Sequence, residues 1–163
     1  MRILGIDPGL QATGYGLLEV GHSQGQKVKL LEVGMIAPKR TQALPNKIEK
    51  IYKNLDEILN QYSVDVLVLE KLYSHYKRPT VACIMGHARG VICLLCAQRK
   101  IQLVEHSVKR IRKTLVGNGN ATKQQTRETV AHLLGIQAGK LTLDASDALA
   151  LALGYAYMQR LMG

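Results

Sequence analysis

The sequence predicts an α/β protein with a five-stranded mixed sheet flanked by helices, and three observations carry that prediction. A short apolar strand opens the chain and is followed by two segments patterned as a hairpin. VDVLVLE at 64–70 is unbroken apolar from Val66 to Leu69 and ends on Glu70, which suits a central parallel strand covered on both faces. Strands then alternate with stretches of helical period.

In chain order, RILGID reads as a buried strand ending on Asp7, the only charge in LGIDPGLQATGYG (residues 4–16). Pro8 and Gly9 are turn residues, and the small residues beyond them let another group lie close to the backbone. GYGLLEV and VKLLEVGMIA, separated by the polar GHSQGQK, form the hairpin. Pro45 and the pattern IxxIxxxLxxIL at 48–59 mark an amphipathic helix facing the sheet. The fourth strand ends on Glu70, and 80–98 is a helix with small and apolar residues on most sides. IQLVEH is the fifth strand. Thr122 with Gln125 offers a capping box to the helix KQQTRETVAHLL, and a last helix spans about 144–161. No repeat, linker or low-complexity segment interrupts this order, so residues 1–163 are expected to form a single domain.

The net charge of +10 is unevenly spread. Residues 71–127 hold twelve Lys and Arg against one acid, Glu105, a balance of +11, which leaves about −1 for the remainder. A solvated surface usually mixes its signs, whereas a long one-signed block points to a polyanion, with nucleic acid favoured. No run of about 18 apolar residues is present, and MRILGIDPG shows no basic-then-apolar leader. The expectation is a cytoplasmic protein without a membrane role. Cys83, Cys93 and Cys96 form no disulfide framework, and their Leu, Ile and Ala neighbours read as a core, so buried reduced thiols are expected.

The acids raise the chemical question. If the helix between the first and fourth strands is a right-handed crossover, those strands are parallel neighbours, and Asp7 and Glu70 emerge at the same carboxyl edge. Asp144 and Asp147 lie three apart at the start of the last helix, about one turn apart on one face. Acids there also serve any helix as a cap and dipole partner, so that stretch alone leaves both readings open. Four carboxylates converging on one point would repel one another and raise their own pKa values unless a cation neutralises them. Oxygen donors with no His or Cys at metal spacing suit Mg²⁺ or Mn²⁺, the pattern of a two-metal phosphodiester hydrolase.

Taken together, GIDPGLQATGYG, VDVLVLEKLY, GHARGV, VKRIRKTLVGNGNATK and DASDALALAL resemble, in order and along nearly the whole chain, the RuvC Holliday-junction resolvases, crossover junction endodeoxyribonucleases of the RNase H-like superfamily. The resemblance implies a homodimer that nicks two opposed strands of a four-way DNA junction using Mg²⁺, alongside the RuvA and RuvB branch-migration proteins. It implies Asp7, Glu70, Asp144 and Asp147 as catalytic carboxylates holding two ions, with basic residues before and after the glycine-rich loop falling on Arg112 and Lys123. It also places on Tyr73 an aromatic that follows the strand-ending Glu.

The residues themselves support these transfers unevenly. Tyr73 and Tyr76, interleaved with Lys77 and Arg78, have the chemistry to stack unpaired bases and hold phosphates. Arg112 and Lys113 add positive charge before the loop. VGNGNATK opens a helix whose amides suit a phosphate, and Lys123 is placed to stabilise transition-state charge. The chain departs from the family pattern in the unusually basic segment after Glu70 and in Lys71, which on a strand points to the opposite face from Glu70. The small residues along 80–98, including Cys83, Gly86, Ala88 and Gly90, suggest a dimer contact. A nucleotide-binding fragment of the actin and sugar-kinase kind shares the opening loop pattern but needs roughly double this length. The alternative functions are an RNase H-like nuclease acting on RNA or RNA/DNA, and a junction binder that does not cut.

Overall fold

The structure, a computed structural model, describes residues 1–21, 28–72 and 79–162, without the side chains of 79, 81 and 160–162. Three strands come first: β1 (Arg2–Asp7), β2 (Thr13–Glu19) and β3 (Lys29–Ile36). Helix α1 (Leu44–Gln61) leads to β4 (Val66–Glu70), and α2 (Pro79–Arg99) to β5 (Gln102–His106). Helices α3 (Val108–Val116), α4 (Lys123–Leu134) and α5 (Leu143–Met162) complete the chain, with one 3₁₀ turn at Ala138–Lys140. The strand order is β3-β2-β1-β4-β5; β1 runs antiparallel to β2 and parallel to β4, and β4 runs parallel to β5. The mixed sheet and the β1–β4 neighbourhood expected from the crossover are both present.

The period of two along each strand divides the core into two layers. Leu4 and Ile6 of β1, Leu17 of β2, and Leu67 and Leu69 of β4 face α1 and α2, where Ile51, Leu55, Ile92 and Leu95 bury against them. Ile3, Leu18, Val66 and Val68 face the other way, onto α3, α4 and α5. Asp7 shares the parity of Ile3, and Glu70 that of Val66 and Val68, so both acids belong to the α5 side. The apolar fourth strand lies between β1 and β5, as a strand buried on both faces should.

Helix α5 lies against the sheet because the strands beneath it carry glycine where it crosses. A Cβ on Gly5 would fall 2.0 Å from the Ala148 carbonyl oxygen, one on Gly14 2.1 Å from that of Asp144, and one on Gly16 2.4 Å from a Leu149 methyl carbon. The small residues after Asp7, expected to let another group lie close to the backbone, thus admit the protein's own helix at Gly14 and Gly16.

Two features differ from the sequence expectation. VKRIRKTLV, seen in the sequence as charge leading into a loop, is a nine-residue helix capped by Ser107, whose Oγ accepts from Arg110 N (3.3 Å), and closed by Gly117 at φ 81°. Its apolar stripe is hard to see because Ile111 is its only fully buried residue. The cysteines also divide: Cys96 is buried, but Cys83 and Cys93 are exposed. They lie on the outer face of α2, which no described element covers, whereas Ala88, Ile92 and Leu95 take the inner face. Among the described residues, no helix is long and apolar enough to cross a membrane.

Gly14→Ala is expected to lift the first turn of α5 off β2, destabilising the fold by about 2 kcal/mol or more, as overpacking of a rigid contact does. Gly139→Ala, where a Cβ would meet nothing within 4 Å, should stay within about 0.5 kcal/mol of wild type. Urea denaturation of the two variants checks the contrast.

Candidate active site

Strand register places the first two acids. Ile3 through Ile6 pair in parallel with Val66 through Leu69, so Asp7 and Glu70 are the next residues on adjacent strands, about 4.8 Å apart across the sheet. On its other side Asp7 pairs with Gly14, the glycine against which the Asp144 carbonyl rests. The loop after Asp7 is tied down by Thr13, which is fully buried; its Oγ1 donates to the Gly9 carbonyl (2.8 Å) and accepts from Gly9 N (3.3 Å).

The two readings of Asp144 are separated by its neighbour. Thr142 Oγ1 accepts from Ala145 N (3.2 Å), so threonine caps α5 and the Asp144 carboxylate is not needed as the cap. Asp147 stands one turn further along. Lys123, the first residue of α4, donates from Nζ to Asp147 Oδ2 at 2.5 Å. The expected capping box holds that helix start: Gln125 N donates to Thr122 Oγ1 (3.1 Å) and Thr122 N to Gln125 Oε1 (2.9 Å). Those two amides are therefore already satisfied and do not point at a ligand, although the sequence suggested a phosphate cradle there.

The carboxylates feel one another. Burial pushes Asp7 up to about 7, and Glu70, Asp147 and Asp144 push the same way against Lys123. Glu70 is likewise raised, by burial and then by Asp147, against the pull of Lys123, Arg112 and Arg89. Burial works to lower Lys123, but the hydrogen bond and charge of Asp147, with Asp7 and Asp144, outweigh it and leave the ammonium above its usual value. Arg112 joins the group from α3: with Glu70, Thr126 and Asp147 it borders a small recess, and its Nε is buried with no partner among the described residues.

This donor set fits a hard divalent cation. Four carboxylates lie along one edge with no thiolate or imidazole among them, and burial together with their mutual repulsion raises two of them. Among the described residues, no three of these groups already stand together around one point, so ligation requires their side chains to turn inward.

Of the other residues singled out in the sequence, Lys113 is exposed on α3, and Lys71 is exposed just past β4. Tyr73, Tyr76, Lys77 and Arg78 lie outside the described residues. Sequence reasoning missed Thr13, whose bonds to Gly9 hold the loop after Asp7. Its signal was a hydroxyl inside a run of small residues, which is weak. It missed Arg89 too, although the lone Glu105 in a basic block hinted at a buried partner.

The profile of the family "Crossover junction endodeoxyribonuclease RuvC" matches residues 3–155. The chain belongs to this family. The crossover junction endodeoxyribonuclease RuvC of Rhodopirellula baltica is 40% identical over 151 residues, covering 93% of this chain and 83% of its own length. Among solved structures, Thermus thermophilus RuvC superposes with a TM-score of 0.88 at 23% identity, covering 99% of this chain and 97% of that one. The same protein in complex with Holliday junction substrate gives 0.87 at 20%, covering 99% and 96%. The fold is thus the one seen in Thermus thermophilus RuvC, an α/β fold with a mixed sheet as the sequence predicted, and the RuvC family is one of endodeoxyribonucleases.

The raised Asp7 has a consequence for stability whenever no cation is bound. A carboxyl that goes from 3.8 to about 7 on folding holds its proton more tightly in the folded state, so stability falls as pH climbs through that window and stays lower above it. In EDTA, Asp7→Asn is expected to be more stable than wild type at pH 8 by roughly 2–4 kcal/mol, with the difference vanishing near pH 4. Urea denaturation at the two pH values measures it; equal stability at pH 8 would mean that burial and the neighbouring acids do not raise Asp7.

Proposed function

We propose that this protein resolves four-way (Holliday) DNA junctions by hydrolysing one phosphodiester in each of two opposed strands, with Asp7, Glu70, Asp144 and Asp147 as its metal-binding carboxylates. The observation that carries this reading is the meeting of acids from β1, β4 and α5 at one sheet edge in a protein of net charge +10. A protein that only binds DNA gains nothing by placing anions beside phosphates. The four acids are proposed to hold two Mg²⁺ ions, with Mn²⁺ able to substitute. A divalent cation there supplies Lewis-acid activation of water and neutralises charge on the leaving oxygen.

The chain's own groups do the rest. The tight seat of α5 on the glycines holds Asp144 and Asp147 level with Asp7, and the strand ladder holds Glu70 beside it. Lys123 stays protonated at neutral pH, which fits it to offset charge growing on the phosphate. Arg112 adds a second fixed positive charge at the Glu70 side. Phosphates of the junction arms are assigned to Lys77, Arg78 and Lys113, and unpaired bases at the crossover to Tyr73 and Tyr76.

The whole chain, 1–163, acts in this reading as one nuclease domain in the cytoplasm. It works as a homodimer and in company with RuvA and RuvB, both of which rest on the family resemblance. The dimer contact is assigned to the outer face of α2, where Ile84 and Leu94 are 44% and 52% exposed beside Cys83, Gly86, Gly90 and Cys93. A two-fold contact would set two identical sites against the two opposed strands of a symmetric junction.

Cleavage of a mobile four-way junction with Mg²⁺, run beside a linear duplex and an RNA/DNA hybrid, tests the activity. Wild type should nick the junction symmetrically, and Asp7→Asn should bind it undiminished while cutting at least about 10²-fold slower. Preferential cutting of the hybrid would move the protein to the RNA-directed branch of the fold, and binding without cutting would make it a junction binder. For the dimer, Leu94→Glu is expected to convert a two-chain species into a monomer in sedimentation equilibrium; a wild type that is already monomeric at every concentration would remove α2 from that role.

A further inference from the structure

Arg89 sits in GHARGV on α2, on the sheet layer opposite α5, yet its guanidinium reaches the end of β4. Nη1 donates to the Glu70 carbonyl oxygen at 2.5 Å, and Nη2 pairs with the Glu105 carboxylate. Its side chain is only 12% exposed, so this is a nearly buried charge, which is costly to hold without a partner. Glu105 is that partner. In a stretch of twelve basic residues the single acid does not serve to mix surface signs, and on β5 it lies one residue before His106, the register partner of Glu70.

The end of β4 needs such a tie. Among the described residues, a cavity of about 530 Å³ opens beside Glu70, lined by Pro8, Leu72, Met85 and Val108 together with Arg89 itself. Among the described residues, packing therefore does not brace the strand end on that side. The ladder bond from Lys71 N to the His106 carbonyl (2.8 Å) ties the neighbouring residue to β5, and Arg89 ties the Glu70 carbonyl to α2. A planar fork meets two acceptors at a set separation, which an ammonium on a flexible stem does not reproduce.

We propose that Arg89, braced by Glu105, is a positioning residue: it clamps the Glu70 backbone to α2 and so holds the Glu70 carboxylate on the α5 side, facing Asp7 and Asp147. The proposal rests on Glu70 being a metal ligand, as argued above. Arg89 itself touches neither substrate nor ion. Its loss therefore acts on the metal site and not on the grip of the protein on DNA.

Arg89→Lys and Glu105→Gln test the clamp. Mn²⁺ binding is read by electron paramagnetic resonance without DNA, junction affinity in Ca²⁺, and cleavage across a Mg²⁺ titration. Both variants should bind Mn²⁺ about tenfold more weakly, the usual effect of losing an outer partner of a ligand, and need correspondingly more Mg²⁺ for half-maximal cutting. Junction affinity should stay within about twofold, and in a Glu70→Gln background Arg89→Lys should weaken Mn²⁺ binding no further. Should Arg89→Lys fail to fold, Glu105→Gln decides, because it keeps the guanidinium. Unchanged Mn²⁺ affinity in a folded variant would overturn the clamp, leaving Arg89 a purely structural residue. Weakened junction binding at unchanged Mn²⁺ affinity would overturn it in favour of a DNA contact. A wild type that binds no Mn²⁺ and cuts no junction would instead overturn the metal site, and this proposal with it.

Discussion

The contact on which the site depends is the one between the backbone of α5 and the glycines of β1 and β2. A helix normally packs on a sheet through its side chains. Here the Ala148 and Asp144 carbonyls come so close to Gly5 and Gly14 that a methyl group at either position would overlap them. Gly14 is also the register partner of Asp7. One close approach therefore sets both the distance of the helix from the sheet and the level of Asp144 relative to the acid at the end of β1. The remainder of α5 reinforces it: Ala148, Leu149, Ala152 and Leu153 are fully or almost fully buried, and a leucine buried in this way contributes roughly 1.5–3 kcal/mol.

That geometry creates an electrostatic problem which the fold answers locally. Asp7 is raised to about 7 by its burial and by the other acids, so the edge resists carrying its full negative charge. The answering cations come from separate elements: Lys123 from the start of α4, Arg112 from α3 and Arg89 from α2. Lys123 is the most direct, at 2.5 Å from Asp147. Among the described residues no single partner neutralises the group, which leaves the acids poised for a cation of higher charge.

Much of this was legible in the sequence. The strands, the crossover that makes β1 and β4 neighbours and the capping box at Thr122 follow from periodicity and end signals, and those are local. Asp7 and Glu70 could be singled out because a strand-ending acid in an apolar run is conspicuous, whereas Asp144 and Asp147, at a helix start where acids also act as caps, came from the family resemblance. What could not be read is whatever depends on two distant segments touching. Gly14 and Gly16 look like room for a ligand until α5 is seen filling that space. Thr142 and Asp144 are equally good caps on paper, and only the bond from Ala145 N decides between them. Helix α3 was hidden because its charges break up an apolar stripe that ends up burying little beyond Ile111. The exposed Cys83 and Cys93 were misread as core for the complementary reason: an apolar helix face need not be covered by the chain that carries it.

The two layers of the sheet thus have different work. The α5 side carries all four carboxylates and the cations from α3 and α4. The α1 and α2 side carries no acid of the site and presents the apolar face of α2 that no described element covers. Rigid strands join the layers along most of the sheet, where side chains of opposite parity are fixed by one backbone. At the edge that rigidity ends, since Glu70 is the last residue of its strand and lies beside a cavity. A link from α2 to the Glu70 carbonyl adds there to the ladder bond from Lys71 N to the His106 carbonyl. Because the link belongs to α2, whatever packs on the outer face of that helix bears mechanically on one of the four acids. A second copy seated on α2 would then do more than set the spacing between two active sites: it would stiffen each of them.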